Sequence, residues 1–217
     1  MQSRFGVLCL KTTFTHMLEA RNVSAVYGSR IIFDHVSLRL SLGTVYCVSG
    51  PSGCGKTTLG RILAGLNRPA GGEILYDQES VSDTKKWPVQ YLYQSPLTAM
   101  NPRWQIKKIV EEAGSVDAGL ARMLGVETEW ETRYPHELSG GQLQRVSILR
   151  SLGASPAFLI ADEITAALDP VAQAQIWQLL LELTERCKLG IVAISHDESL
   201  ISRIAQPGNH FSLSDQN

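Results

Sequence analysis

The chain has 217 residues, 44% of them hydrophobic, which is enough for one well-buried domain and too few for two independent ones. Twenty basic and 21 acidic residues leave a net charge of -1, excluding a broad electrostatic footprint for nucleic acid or an anionic membrane surface. No apolar run approaches the roughly 20 residues of a spanning helix, so a membrane role requires a separate embedded partner.

Residues 1–16 carry Arg4 and Lys11 around a short apolar patch, too brief for a signal peptide. They are read as an N-terminal extension, native or not according to whether translation starts at Met1 or at Met17, with residues 17–217 forming a single domain. Cys9, Cys47, Cys54 and Cys187 are scattered without CxxC spacing, which fits a reducing, cytoplasmic compartment.

Residues 18–27 and 31–40 read as antiparallel strands separated by Gly28-Ser29, with Tyr27 placed either to stack on adenine or simply to pack. Residues 44–49 form a compact apolar strand that runs into Gly50-Pro51-Ser52-Gly53-Cys54-Gly55-Lys56-Thr57-Thr58, and 57–66 then reads as a helix ending near Asn67-Arg68-Pro69. This strand, loop and helix are the order that phosphate binding needs. The glycines let backbone N–H groups wrap phosphates, Lys56 reaches the outer phosphates and Thr57 can ligate Mg²⁺. Cys54 inside the loop predicts sensitivity to thiol reagents.

A strand over 89–93 leads to Gln94, which can reach Mg²⁺ or an attacking water. From 96 to about 150 the pattern reads as an inserted helical lobe, with Trp104, Ile109, Val110 and Ala113 as apolar points near its start. Within it lies Leu138-Ser139-Gly140-Gly141-Gln142. A helix that starts at a Ser-Gly-Gly step offers unpaired N–H groups, a hydroxyl and a positive dipole end, suited either to an ordinary cap or to a phosphate. Because the chain already has its own phosphate cradle, a second anion site points to the nucleotide of a partner chain.

Residues 156–161 are continuously apolar, as in a buried strand, and deliver Asp162-Glu163 at their C-terminal end. Asp162 can hold Mg²⁺ directly or through water, and Glu163 can polarise the attacking water; adjacent carboxylates can also pair with lysine or cap a helix. Residues 171–187 read as a helix with Ile176, Leu179, Leu180 and Leu183 at core spacing, and strand 191–195 delivers His196, a candidate γ-phosphate contact. Alternating strands and helices predict an α/β fold with a mainly parallel sheet and ligands at its carboxyl edge.

The order Tyr27, phosphate loop, Gln94, 138–142, Asp162-Glu163, Asp169, His196 resembles the ATP-binding cassette (ABC) family across nearly the whole chain from residue 18. The resemblance implies a P-loop ABC ATPase fold with a small antiparallel β subdomain and an inserted helical subdomain. It also implies ATP and Mg²⁺ as ligands, and a homodimer or heterodimer with a second ABC ATPase in which two ATP molecules lie face to face. In that arrangement Lys56, Thr57, Gln94, Asp162, Glu163 and His196 serve one nucleotide, while Ser139, Gly140, Gly141 and Gln142 serve the neighbour's. Residues 166–169, ending at Asp169, link the two sites. Ala99-Met100-Asn101-Pro102-Arg103, Leu159-Ile160-Ala161-Asp162-Glu163 and Gln173-Ala174-Gln175-Ile176 resemble the peptide and nickel importer branch. That branch implies membrane permease subunits as partners, a solute-binding protein acting indirectly, and a peripheral place on the cytoplasmic face of the inner membrane. Import of peptides, nickel or a metal chelate is the expected role, with no nucleic-acid partner. The competing class is a soluble mechanical ABC ATPase not coupled to transport; the short lobe and the lack of coiled-coil heptads count against it. Two departures stand out. Ile164 replaces the family's usual proline, which predicts a looser turn after Glu163, and the chain stops shortly after Leu213, short of the C-terminal extension of many peptide importers.

Overall fold

The computed structural model describes residues 16–81 and 87–213, so the extension expected at 1–16 lies, apart from His16, outside the described residues. Two sheets organise the chain. The first is antiparallel, in the order β2-β1-β4-β5, built from β1 (Met17–Tyr27), β2 (Arg30–Ser41), β4 (Gly71–Tyr76) and β5 (Glu79–Ser80). The second is parallel, in the order β6-β7-β8-β3-β9, from β3 (Val45–Ser49), β6 (Val89–Leu92), β7 (Phe158–Asp162), β8 (Gly190–Ile194) and β9 (His210–Ser212).

Every residue of β7 and β8 is buried, which is why these strands, up to the Asp162 that ends β7, run apolar rather than alternating. Their two faces feed different cores. Phe158, Ile160, Val192 and Ile194 pack with the antiparallel sheet and with Leu59, Ile62 and Leu63 of helix α1 (Lys56–Leu63). Leu159, Ala161, Ile191 and Ala193 pack on the opposite side with Ile148 and Leu152 of α4 (Gly140–Gly153), Ile176 and Leu180 of α5 (Pro170–Cys187), and Ile201 of α6 (Glu198–Ile204). The result is a three-layer α/β arrangement with the parallel sheet in the middle.

Between β6 and α4 the chain forms short pieces: 3₁₀ turns at Pro96–Ala99, Thr128–Trp130 and Pro135–Glu137, and helices α2 (Ile106–Glu111) and α3 (Ala118–Met123). They share a core of their own, in which Met100, Ile106, Ile109 and Trp130 meet Leu138, Leu143 and Val146. Helix α4 belongs to both cores, so it fastens this lobe to the sheet.

Helix α1 ends at Leu63, three residues before the predicted end, because Gly65 turns to φ +71 and the chain leaves the helix there.

Candidate functional site

Parallel pairing brings the site together. Asp162 on β7 is level with Ile194 on β8, and Ile194 with Val48 on β3, so the residues that follow each strand emerge side by side. On β6, Leu92 is level with Ala161; carried on by two places, that register sets Gln94 level with Glu163. The phosphate loop, Gln94, Glu163 and His196 therefore share one edge, the carboxyl edge of the sheet.

At the loop, the N–H groups of the first turn of α1 have no intrahelical acceptors and point toward the bend. Gly55 is the N-cap, with φ 103, and a Cβ there would lie 2.5 Å from Cγ2 of Ile32 and 2.9 Å from Cδ1 of Phe33. Only glycine combines that left-handed backbone with so close an approach to β2. Lys56 is buried, and its Nζ donates to the carbonyl oxygens of Gly50 at 2.7 Å and Pro51 at 2.9 Å, which holds the ammonium over the bend. Thr57 follows on the same turn.

Glu163 takes a left-handed conformation, φ 49, directly after β7. For a non-glycine residue this costs of order 1–3 kcal/mol, and such strain collects at functional sites. The turn is pinned on both sides: the Glu163 N–H donates to the carbonyl of Ile194 at 3.0 Å and its carbonyl accepts from Ala166 N–H at 3.1 Å. The carboxylate is shared. His196 Nδ1 donates to Oε1 at 2.8 Å, and Gln94 Nε2 donates to Oε2 at 3.4 Å. His196 is thereby fixed with Nε2 as its outward nitrogen. Ile164 stands at this turn in place of the family's usual proline. It is buried in the same core as Leu159 and Ile176. Thr165 adds an anchor, its Oγ1 accepting from Trp177 Nε1 at 3.1 Å and Gln173 Nε2 at 3.2 Å.

Asp162 is buried and accepts a hydrogen bond from the phenol of Tyr91. Burial and that bond to Asp162 push the Tyr91 pKa well above the usual phenol value, against a smaller opposing pull from Arg61, so the phenol stays protonated. Tyr91 carries no motif and sequence reasoning missed it; its one signal is a tyrosine within an apolar strand three places before Gln94.

The Ser139–Gln142 segment sits elsewhere. Ser139 caps α4 in a reciprocal pair, its Oγ accepting from Gln142 N–H at 3.3 Å while Gln142 Oε1 accepts from Ser139 N–H at 2.8 Å. Gly140 and Gly141 then hold the free N–H groups of the helix start. These glycines lie against Leu168 and Ala172, and among the described residues no hydrogen bond joins 139–142 to the loop at 50–58. Asp169 caps α5, its Oδ1 accepting from the N–H groups of Val171 and Ala172, each at 3.0 Å. Tyr27 is 83% exposed at the tip of the β1–β2 hairpin, an aromatic face free to stack.

The ABC transporter family model matches residues 33–166, a span running from β2 through the phosphate loop, Gln94, Ser139–Gln142 and the Asp162-Glu163 pair to the turn beyond it. The chain belongs to the ABC transporter family. Similar curated proteins include a dipeptide transport ATP-binding protein, DppF, of Escherichia coli (strain K12), 36% identical over 191 residues that cover 79% of this chain and 57% of that one. An oligopeptide transport ATP-binding protein, AppF, of Bacillus subtilis (strain 168) is 36% identical over 193 residues, covering 79% and 58%. A putative peptide import ATP-binding protein of Brucella ovis is 34% identical over 215 residues, covering 88% and 68%. The chain thus spans under three fifths of the length of the first two relatives. Among solved structures, the post-hydrolysis dimer of the ATP-binding cassette MJ0796 bound to ADP and Pi superposes with TM-score 0.73 at 26% identity, covering 87% of this chain and 91% of that one.

The side chains at the carboxyl edge of this ABC domain fit a magnesium nucleotide. Among the described residues no cluster of three or more His, Cys, Asp or Glu forms a metal cage. Magnesium suits such a site, because it takes one or two protein oxygens and draws the rest from phosphates and water. Thr57 and Asp162 are the residues present that would offer such oxygens. At Gly50, where φ is 140, a side chain would be strained and its Cβ would fall 2.8 Å from Cys54 Sγ, so glycine suits this bend.

Cys54 Sγ lies 4.0 Å from Lys56 Nζ. Alkylating Cys54 is expected to block ATP binding, with prior ATP protecting the thiol and the Cys54→Ser variant resisting inactivation. Cys47 is buried, and burial pushes its thiol pKa up to about 12, so it stays unmodified. Unchanged nucleotide titration after complete labelling of Cys54, verified by mass spectrometry, would contradict this.

Proposed function

We propose that the chain is the ATP-hydrolysing subunit of a peptide importer, dimerising around two ATP molecules and driving separate membrane permease subunits. The observation that carries the reading is the shared carboxylate of Glu163, held by His196 and Gln94 at the strand edge that also bears the phosphate loop. In this reading Tyr27 stacks on adenine, the loop and Lys56 hold the phosphates, and Thr57 and Asp162 hold Mg²⁺. Magnesium supplies charge neutralisation on the phosphate oxygens. Glu163 takes the proton of the attacking water, while Gln94 and His196 fix the carboxylate and place Nε2 of His196 toward the terminal phosphate.

Gly140, Gly141 and Ser139 serve the nucleotide held by the other subunit, and 166–169 lies between the two sites. A γ-phosphate bridging two subunits through two or three charge-assisted hydrogen bonds contributes about 3–9 kcal/mol. About 5.5 kcal/mol turns a 1:99 equilibrium into 99:1, so losing that phosphate suffices to open the dimer. Peptide cargo is favoured over nickel or a metal chelate by the names of the similar proteins, which are dipeptide, oligopeptide and peptide import subunits. No helix among the described residues is long and apolar enough to cross a membrane, so attachment to the cytoplasmic face is through the permease.

The test is co-expression with the permease subunits of a peptide importer from the same organism. The expected result is co-purification, magnesium-dependent ATP hydrolysis, and a rise in hydrolysis when the peptide-loaded solute-binding protein is added to the reconstituted complex. A chain that stays monomeric with saturating MgATP, even with those permease subunits present, would overturn the reading.

A further inference from the structure

Asp162 and Tyr91 stand on the same face of the parallel sheet. Tyr91 pairs with Ile160, so Asp162 is its diagonal neighbour two places on, a separation a long aromatic side chain can span and a phenylalanine cannot bridge with a hydrogen bond. The Tyr91 hydroxyl donates to Oδ2 of Asp162; among the described residues, Oδ1 accepts no hydrogen bond. The ring has little freedom. It is 9% exposed, meets Tyr93 edge-on with centroids 4.8 Å apart, and rests against α1, where a Cβ on Gly60 would come within 3.4 Å of its Cε2. A buried carboxylate without a fixed donor would be free to rotate and costly to keep charged.

We propose that Tyr91 is a positioning residue for Asp162, holding the carboxylate by Oδ2 and leaving Oδ1 as the oxygen that serves the magnesium of bound nucleotide. This rests on the ATP-binding reading of the site. The hydrogen bond acts on the metal through Asp162 and leaves the phosphate loop untouched, so its removal separates metal affinity from nucleotide affinity. Outer partners of metal ligands typically contribute 10–100-fold in metal affinity.

The experiment is calorimetric titration of the full chain with a non-hydrolysable ATP analogue across a series of Mg²⁺ concentrations, and again in EDTA. For Tyr91→Phe the half-saturating Mg²⁺ concentration is expected to rise about tenfold, with affinity in EDTA held. An unchanged Mg²⁺ requirement overturns the proposal. A second arm adds Tyr91→Phe to Asp162→Ala: the double variant is expected to need no more Mg²⁺ than Asp162→Ala alone, because Tyr91 acts only through Asp162. An additive rise would mean an independent effect on packing and would also overturn it. Wild type that fails to bind the analogue at any Mg²⁺ concentration sinks the ATP-binding reading itself, a failure distinct from a Tyr91→Phe variant that behaves as wild type.

Discussion

The Glu163→Gln variant is expected to bind ATP, to accumulate as a MgATP-dependent dimer and to hydrolyse ATP at least about 100-fold more slowly than wild type. The substitution changes little except basicity. Glutamine keeps the length of the side chain, its carbonyl oxygen can accept from His196 Nδ1, and its amide can pair with Gln94 Oε1, so the contacts now made at 2.8 and 3.4 Å survive. Glutamine also tolerates the φ of 49 no worse than glutamate does. What disappears is the group that accepts a proton from water. Phosphate release measured beside size-exclusion chromatography in MgATP separates the two effects: slow turnover with a persistent dimer is the expected pair. A variant as active as wild type would remove Glu163 from the role of base.

The Gly55→Ala variant is expected to lose ATP affinity by on the order of 100-fold, equivalent to about 3 kcal/mol. Two costs combine at this position. A φ of 103 lies where side-chain-bearing residues are strained, and the new methyl would meet Ile32 at 2.5 Å and Phe33 at 2.9 Å. Phe33 is 1% exposed and has no room to withdraw, so the start of α1 must move instead. That shift takes the first-turn N–H groups and Lys56 out of line with the phosphates. Gly208→Ala is the control, because φ there is 82 and nothing lies within 4 Å of its Cβ. It carries the backbone strain alone, away from the loop, and full ATP affinity is expected. Calorimetric ATP titration and thermal unfolding of both variants distinguish a lost loop from a lost fold.

The strands that carry the site are legible in the sequence because each is an unbroken apolar run ending in a polar motif, as β7 ends at Asp162-Glu163 and β8 leads to His196. Other elements are not. The strand β4 opens with Gly71-Gly72, which has no strand preference, and β9 has three residues. Helices α3 and α6 have six and seven residues, well below the length at which a helix forms by local preference, so their caps and tertiary contacts decide them. For the same reason the lobe, read as broadly helical, proves to be several short pieces around Trp130, with α4 as its one long helix.

The chain's own residues determine the chemistry: a glycine loop with Lys56 and Thr57, a Ser-Gly-Gly helix start, and carboxylate, imidazole and amide groups at strand ends. These are local properties, set by residue type and by a period that extends over a few neighbours. Only the tertiary structure decides that Gln94 and His196, 69 and 33 residues from Glu163, grip the same carboxylate, and that Tyr91, 71 residues from Asp162, fixes the other. It also decides that β3 runs between β8 and β9. Strand pairing joins segments far apart in the chain, and its register follows from which faces the whole fold buries, which no local stretch specifies.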